Sequence, residues 1–308
     1  MDINAILENE FNCKVKIIQE IQSGLRCKTF LIESNNTKYI FQIYLDNTIY
    51  QAKKKYNILN LFNNELIPKA IKVKVNKNYA YLITEYKEGK SLTYYFNRNI
   101  SIKEISIKLA KVLTEVHSVK NNTFGWITDT GIIKNANFID YIKSEYERLN
   151  KNLGSIKLEI RKKILNKVNA ALEIIQKRSM HISEACLCWY DINPDNLLIN
   201  RENEKLRLNG LIDPGGARYG IREWDLAFVK MELCKNKNEF EEFIMYYKSI
   251  NKDYYIDEEL INALSVIVEL DDISIRIIDN IIIDIPYDTK FKREIEFIHK
   301  NIKETSCN

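Results

Sequence analysis

The sequence predicts an α+β protein with a small amino-terminal antiparallel β-sheet lobe that carries one helix, and a larger, mostly helical carboxy-terminal lobe. Two observations lead to this fold class. Over residues 14–45, apolar and polar side chains alternate with the period of two that is typical of strands, and turn-forming residues separate the runs. Beyond residue 102, apolar side chains recur mainly at helical spacing. A chain of 308 residues is long enough for a well-buried core, in one large domain or in two lobes.

The amino-terminal part contains three antiparallel strands, then a helix, then a hairpin. The strands and the hairpin are predicted at residues 14–21, 28–34, 38–44 and 70–86. The helix is predicted over residues 48–63, where Ala52, Tyr56, Leu59 and Phe62 form an apolar stripe. The short segment "KEGKSL" then connects the two parts. We therefore predict an amino-terminal lobe of residues 1–88 and a carboxy-terminal lobe of residues 89–308.

The carboxy-terminal part is predicted to be helical except for one segment. The helical stretches are residues 102–119, a helical pair over 137–180, and 225–250, 257–284 and 287–305. The exception is residues 186–213, where the sequence predicts a loop, a strand, a turn and a second strand.

Composition excludes several classes of function. The six cysteines form no C-x-x-C pair and the chain has three histidines, which argues against a zinc site. The net charge of +4 is weak and dispersed, so no nucleic-acid partner is expected. No apolar run approaches the roughly 20 residues that span a bilayer, and no signal peptide is evident. We expect a cytoplasmic monomer with reduced cysteines and no membrane partner.

Three oxygen-bearing side chains carry the chemistry that the sequence indicates. Asp191 and Asn196 lie five positions apart in a loop before an apolar strand, and Asp213 ends the next strand. A two-stranded ribbon would place Asp213 beside Asn196, and such hard oxygen ligands suit Mg²⁺. Asp191 could then accept a hydroxyl proton. Together these residues predict phosphoryl transfer, which needs positioning, metal charge and a base.

The order of these elements and motifs resembles the aminoglycoside phosphotransferase and choline kinase-like family, which has the protein-kinase-like fold. The resemblance covers nearly the whole chain. The motifs that carry it are "IQSGLRCKTFLIE", "YLITEYKEGKSL", "LAKVLTEVHSV", "WYDINPDNLLI" and "LIDPGGARYGIREWDLA".

This resemblance implies an enzyme that binds ATP or GTP in the amino-terminal lobe and phosphorylates a hydroxyl of a small molecule. It implies that Asp191 is the catalytic base, that Asn196 and Asp213 hold Mg²⁺, and that Asp225 supports the catalytic loop. It places Gly24 in the turn that covers the nucleotide. It also implies that Glu85, Tyr86 and Lys87 border the adenine, and that His117 is a structural helix residue.

The sequence departs from the family at the lysine that contacts the nucleotide phosphates. Gln42 occupies that position on the third strand, and Lys55 falls near the place of the family's acidic partner on the following helix. One interpretation is that Lys55 faces inward and meets the phosphates while Gln42 orients it, with Lys53 and Lys54 toward the sides. Lys28 is a second candidate for the relocated charge. One alternative is that Lys55 is solvated or that the assumed helix register is off by one residue. The other is a weakened kinase or a pseudokinase.

Other departures from the family concern the catalytic loop and residues that could bind the acceptor. Trp189 stands where the family has a loop histidine that supports the backbone, and a tryptophan can fill that space. Trp126 either lines a substrate pocket or belongs to the core. Glu269, Asp271, Asp272 and Asp279 could collect a cationic substrate, although a solvated helix face is the simpler interpretation. The first acceptor hypothesis is an aminoglycoside-like antibiotic and the third a choline-type alcohol. The second is a ketosamine (fructosamine), because "IDPGGARYGIREWDLA" also resembles the ketosamine kinases, with one extra residue before the Tyr. A nucleotide-binding module without catalysis is the rival class.

Overall fold

The computed structural model describes residues 2–21, 27–96, 102–155, 158–202 and 205–278. The chain forms two compact units. The first unit comprises residues 1–112, 127–132 and 194–217, and the second comprises residues 113–126, 133–193 and 218–308. The first unit thus contains all of the predicted amino-terminal lobe together with later segments of the chain. The proposed lobe boundary between residues 88 and 89 stays a prediction.

The first unit is built on an antiparallel sheet with strand order β1–β2–β3–β5–β4. The predicted three-stranded start and the hairpin are both confirmed. The helix between them is shorter than predicted and follows a single 3-10 turn. The elements are α1 (Ile3–Phe11), β1 (Lys16–Ile21), β2 (Lys28–Ser34), β3 (Thr37–Leu45), α2 (Tyr50–Leu59), β4 (Ala70–Val75) and β5 (Tyr79–Glu85).

Helix α1 packs on one face of this sheet, although the sequence analysis assigned it no structure. Its amino terminus is capped by the Asp2 carboxylate, which accepts a hydrogen bond from the Ala5 N–H. Leu7 is buried against Phe41 and Ile43 of β3. Because side chains alternate along a strand, Gln42 and Tyr44 lie on the opposite face of the sheet. The sheet therefore leaves this second face for α2 and the polar residues of the site.

The first unit also contains a second, three-stranded sheet with strand order β11–β10–β6. It includes the strand pair that the sequence predicted after residue 186. Its first strand is followed along the chain by a short helix and by the start of a longer one. These elements are β6 (Lys90–Ser91), α3 (Leu92–Phe96), the start of α4 (Lys103–Ser118), β10 (Leu197–Glu202) and β11 (Lys205–Leu211).

The second unit is mostly helical, as predicted, and contains a small sheet with strand order β7–β9–β12–β8. The strands are β7 (Lys120–Asn121), β8 (Gly125–Trp126), β9 (Ala185–Cys188) and β12 (Arg218–Gly220). The helices are α5 (Phe138–Asn152), α6 (Leu158–Ser179), α7 (Arg222–Phe228), α8 (Lys237–Ile250) and α9 (Glu258–Ile278).

The continuous helix predicted over residues 225–250 is wrong. Helix α7 begins earlier, at Arg222, and passes into one π-helical turn over Val229–Leu233. The chain becomes extended at Cys234, and the Asn236 side chain then caps α8 by accepting from the Glu239 N–H. This side-chain hydrogen bond stabilises the start of α8, so α7 and α8 are two separate helices.

The predicted helix over 257–284 is present as α9 within the described residues. Residues 279–284 and the predicted helix over 287–305 lie outside them. Among the helices that the structure does describe, none combines the length and the apolar character needed to cross a bilayer.

Candidate active site

Helix α2 directs two lysine side chains toward the loop that follows β11. Lys55 is 6% exposed, and its Nζ lies 2.7 Å from Asp213 Oδ1. Lys54 is 1% exposed, and its Nζ donates to the carbonyl oxygen of Gly215 at 2.8 Å. Lys55 faces inward, as stripe counting indicated, but the expected sideways position of Lys54 is wrong. A lysine stem can pack in apolar surroundings when its ammonium reaches an acceptor, which a hydropathy pattern does not show.

The Lys55 ammonium remains charged although it is buried. Burial opposes the charge, but the attraction of Asp213 prevails and raises the pKa of Lys55 above its ordinary value. The Nζ also lies 5.4 Å from the centroid of the Tyr44 ring, and an electron-rich ring face attracts a cation. A permanent positive charge therefore lies beside the carboxylate of Asp213.

Gln42 lies near this ion pair without bonding to Lys55 directly. Its Nε2 donates to Thr29 Oγ1 at 3.5 Å and contacts Cys27 Sγ at 3.7 Å, and its Oε1 accepts from the Tyr44 hydroxyl at 3.0 Å. Among the described residues, no hydrogen bond joins Gln42 to Lys55. Gln42 instead contacts Tyr44 and Cys27, two residues that interact electrostatically with Lys55.

The second candidate for the relocated charge, Lys28, points away from this group. Thr29 and Gln42 are cross-strand partners and share one face of the sheet. Because successive side chains alternate, Lys28 lies on the other face, where it is exposed. The structure thus brings Lys55, and not Lys28, to Asp213.

Asp213 has an uncommon backbone conformation at the end of its strand. Its φ is +55°, and its Oδ1 accepts from the Gly215 N–H at 3.0 Å. A Cβ atom on Gly215 would lie 3.0 Å from that Oδ1 and 3.1 Å from Lys55 Cε. Glycine at position 215 therefore permits the close approach of the lysine to the loop.

Asn196 lies next to Asp213, because strands β10 and β11 form the predicted hairpin. The Ile212 N–H donates to the Asn196 carbonyl oxygen at 2.9 Å. A carboxylate and an amide are hard oxygen donors that fit Mg²⁺, which keeps several waters and adds substrate phosphates. Among the residues that the structure describes, no group of three or more His, Cys, Asp or Glu has the arrangement of a metal site.

Asp191 belongs to the second unit, where the loop before it is bonded to helix α7. The Asp225 carboxylate is fully buried and accepts from the Trp189 N–H at 2.7 Å and the Tyr190 N–H at 2.8 Å. Asp191 itself is half-buried, and its Oδ1 accepts from Asn193 Nδ2 at 2.6 Å. Asp225 therefore fixes the backbone just before the predicted base.

His117 completes this arrangement as a structural residue. Its Nε2 lies 3.1 Å from Asp225 Oδ2, and its Nδ1 lies 2.7 Å from the Tyr247 hydroxyl. Burial lowers the pKa of His117 below its ordinary value, although Asp225 opposes that shift. A neutral imidazole with its proton on Nε2 satisfies both contacts, since a carboxylate can only accept and the hydroxyl can donate to Nδ1. Trp189 is also fully buried, and it fills its place in the core.

The predicted adenine-bordering residues lie at the end of β5 and just after it. Lys87 Nζ contacts Glu85 Oε1 at 3.1 Å, and Lys38 Nζ lies 5.8 Å from the centroid of the Tyr86 ring. The Glu85 N–H donates to the Lys69 carbonyl oxygen, so β5 is still paired at its last residue. Gly24 lies outside the described residues, as does Asp279.

A buried cluster around Arg218 was missed by the sequence analysis. Its guanidinium carbon lies 3.1 Å from the centroid of the Tyr190 ring and 3.5 Å from that of Trp126, and its Nη1 lies 3.3 Å from Glu145 Oε2. Trp126 also donates to Glu145, so it belongs to this cluster and is only half-exposed. These partners lie up to 92 residues apart along the chain, so no local pattern joins them. The local signal for this cluster is the i,i+3 spacing of Glu145 and Arg148, which form an ion pair.

The expected solvated face of helix α9 is wrong for two of its acids. Glu269 and Asp271 are buried. Asp271 Oδ1 pairs with Arg148 at 2.8 Å, and its Oδ2 accepts from the Tyr190 hydroxyl at 2.9 Å. Buried carboxylates are retained when they are paired in this way.

Comparison with known proteins agrees with this geometry. The model of the phosphotransferase enzyme family (APH) matches residues 17–254, which is well over half of the chain. The chain belongs to this family. It is therefore a phosphotransferase of the small-molecule kinase class, and the resemblance drawn from its motifs is confirmed. Curated protein sequences gave no significant match.

Solved structures of this phosphotransferase class share the protein-kinase-like fold with the chain. Aminoglycoside phosphotransferase APH(4)-Ia superposes with a TM-score of 0.72 at 14% identity, over 98% of this chain and 97% of that one. A Haemophilus somnus 129PT protein assigned as a fructosamine-3-kinase gives 0.63 at 13% identity, over 97% and 96%. Spectinomycin phosphotransferase APH(9)-Ia gives 0.63 at 13% identity, over 99% and 97%.

Proposed function

We propose that the protein is an ATP- or GTP-dependent kinase that transfers the γ-phosphate to a hydroxyl of a small molecule, with an aminoglycoside-like antibiotic as the first candidate acceptor. The observation that carries this proposal is the buried Lys55 ammonium 2.7 Å from Asp213 Oδ1. Lys55 supplies a fixed positive charge beside a carboxylate suited to magnesium. This charge compensates for the phosphate-contacting lysine that Gln42 replaces on β3. Electrostatic stabilisation of this kind is the main protein contribution to phosphoryl transfer.

Each residue has a defined role in this proposal. Lys55 contacts the nucleotide phosphates, and Asn196 and Asp213 hold Mg²⁺, which when bound neutralises charge on the phosphate oxygens. Asp191 orients the acceptor hydroxyl and takes its proton. Glu85, Tyr86 and Lys87 border the base of the nucleotide, and Gly24 belongs to the turn over it.

Complexes of structural relatives support the choice of substrates. APH(4)-Ia is known in ternary complexes with AMP-PNP or ADP and hygromycin B. APH(9)-Ia binds ADP and spectinomycin, and an APH(2") enzyme binds GDP and kanamycin. We infer from them that a nucleoside triphosphate is the donor here. If the acceptor is an aminoglycoside, the protein confers antibiotic resistance. We further propose that it acts as a cytoplasmic monomer without nucleic-acid or membrane partners.

A ketosamine such as a fructosamine is the second candidate acceptor. It is favoured by the segment "IDPGGARYGIREWDLA" and by the fold shared with the Haemophilus somnus protein. A choline-type alcohol comes third. The aromatic rings around Arg218, which could otherwise receive a quaternary ammonium, already hold that arginine.

Phosphate transfer measured by mass spectrometry tests the proposal. Purified protein with Mg²⁺ and ATP or GTP is incubated with pooled aminoglycosides, fructosamines and choline-type alcohols. The Asp191→Ala variant is incubated under the same conditions. We expect one acceptor class to gain a single phosphate with the wild-type protein and none with the variant. Nucleotide binding without transfer to any acceptor would instead support the non-catalytic module.

A further inference from the structure

Tyr190, the residue directly before Asp191, has a backbone conformation that bulky residues rarely adopt. Its φ is +70°, in the left-handed region. There the Cβ of an L-residue crowds the backbone, so an aromatic residue is an outlier. Such a conformation persists when the surroundings fix it, and it is most common near functional groups.

Contacts on every side of Tyr190 supply that fixation. Its N–H donates to Asp225 Oδ1 at 2.8 Å, and its hydroxyl donates to Asp271 Oδ2 at 2.9 Å. Arg218 lies over one face of the ring, and the rings of Phe228 and Trp224 lie at centroid distances of 4.7 Å and 5.3 Å. The side chain is buried, with 5% exposure.

The two polar partners of the Tyr190 side chain are themselves held. Asp271 pairs with Arg148, and Arg218 pairs with Glu145, so the tyrosine is connected to helices α5 and α9. Burial raises the pKa of the Tyr190 hydroxyl well above its ordinary value, which keeps the proton that it donates to Asp271. The ring and the hydroxyl therefore have one permitted position.

We propose that Tyr190 is a positioning residue for Asp191. Its side chain, held by Asp271 and Arg218, keeps the backbone at positive φ, and this conformation sets the direction in which the next residue presents its carboxylate. The inference rests on the proposed role of Asp191 as the base. It adds that this role depends on a hydroxyl–carboxylate bond to helix α9, 81 residues away along the chain.

Amide hydrogen exchange of the loop tests the inference without an activity assay. Tyr190→Phe removes the bond to Asp271 and keeps the ring. Tyr254→Phe is the matched control, because the Tyr254 hydroxyl also donates to a buried carboxyl group, that of Glu223. We expect the amides of Asp191, Ile192 and Asn193 to exchange about tenfold faster in Tyr190→Phe and at the wild-type rate in Tyr254→Phe. Unchanged exchange in Tyr190→Phe would overturn the inference.

Tyr190→Gly separates backbone strain from side-chain contacts. Glycine adopts positive φ without crowding, so this variant removes the backbone strain together with the side chain. If the side chain positions the loop, these amides exchange at least as fast as in Tyr190→Phe. Slow exchange in Tyr190→Gly would show that the tyrosine side chain is not needed.

Kinetics with the acceptor found by mass spectrometry then connect the loop to catalysis. We expect Tyr190→Phe to lower kcat about tenfold with the nucleotide KM within about twofold, because misorientation of a base affects the chemical step more than binding. Tyr254→Phe should keep the wild-type kcat, and a wild-type kcat in Tyr190→Phe would contradict the inference. If wild-type protein transfers no phosphate, the proposed function fails, whereas the exchange rates still decide whether Tyr190 holds the loop.

Discussion

At the scale of single residues, the ion pair between Lys55 and Asp213 is unequal in burial. The Lys55 side chain is 7% exposed, whereas that of Asp213 is 37% exposed. Removing the carboxylate leaves a buried ammonium without its anion, while removing the ammonium leaves a carboxylate that water still reaches. The two single substitutions should therefore differ in their effect on stability.

We expect Asp213→Ala to lower the free energy of unfolding by about 3 kcal/mol and Lys55→Met by no more than about 1 kcal/mol. In the double variant the methionine removes the unpaired charge, so part of the loss in Asp213→Ala should be recovered. Urea denaturation of the four proteins measures this cycle. Equal losses in the two single variants would show that burial does not decide the energetics of the pair.

The same lysine should dominate the interaction with nucleotide phosphates. We expect Lys55→Met to lower kcat/KM for the nucleotide about 100-fold, since it removes a fixed charge from a site of developing negative charge. Lys53→Met is the matched control on the same helix, because Lys53 is exposed. Steady-state kinetics with the identified acceptor measures both. A comparable loss in the two variants would show that helix α2 and not the Lys55 charge is responsible.

At the scale of elements, the first turn of helix α7 buries a second carboxyl group besides Asp225. The Tyr254 hydroxyl lies 2.8 Å from both carboxyl oxygens of Glu223, between which it shares its proton. Burial raises the pKa of Glu223 from about 4.5 to about 7, and the Tyr254 hydrogen bonds only partly offset this. The folded protein thus keeps a proton on Glu223 in a pH range in which the unfolded chain has lost it.

This difference predicts a loss of stability as the pH rises. Between about pH 4.5 and pH 7 the folded state binds more protons at this site, so the contribution of Glu223 is present below pH 4.5 and lost by pH 7. The loss amounts to roughly 3 kcal/mol. Glu223→Gln keeps a neutral acceptor for Tyr254 and should remove this part of the pH dependence. Denaturation curves of both proteins at pH 5 and pH 8 measure it, and parallel changes in the two would contradict the assignment.

Elements with strong periodicity could be predicted from the sequence, and short ones could not. Strands β1–β3, the β4–β5 hairpin and the β10–β11 pair each have several alternating residues and clear turn chemistry. Strands such as β7 and β8 have two residues each and no period to detect. The break between α7 and α8 depends on a helix cap that a single side chain, that of Asn236, provides.

The site was predictable only in part for a related reason. Asp191, Asn196 and Asp213 lie in local motifs, so the sequence shows them together. The burial of Lys54 depends on a carbonyl oxygen 161 residues away, and the Tyr190–Asp271 bond joins residues 81 apart. Contacts of this kind arise from tertiary packing, which overrides local pattern, and no spacing rule within one helix or strand reports them.

At the scale of the whole molecule, the two candidate classes of function differ in what nucleotide binding should do. A ligand that binds only the folded state stabilises it by RT ln(1 + [L]/Kd), which is about 2.7 kcal/mol at 100 times Kd. A kinase and a non-catalytic nucleotide-binding module both predict this stabilisation. A protein that binds neither nucleotide nor Mg²⁺ predicts none.

We therefore expect Mg²⁺ with ATP or GTP at about 100 times Kd to raise Tm by about 4 °C, measured by calorimetry against Mg²⁺ alone. Lys55→Met should lose most of this increase because it lacks the phosphate-binding charge. Asp191→Ala should keep it, since the base acts on the acceptor hydroxyl. The enzyme predicts that the wild-type protein binds nucleotide and transfers phosphate, whereas Asp191→Ala binds nucleotide and transfers none. The non-catalytic module predicts binding without transfer in both proteins. Both classes of function require nucleotide binding. A wild-type Tm that neither nucleotide changes would therefore contradict both classes, and with them the proposed contact between Lys55 and the phosphates.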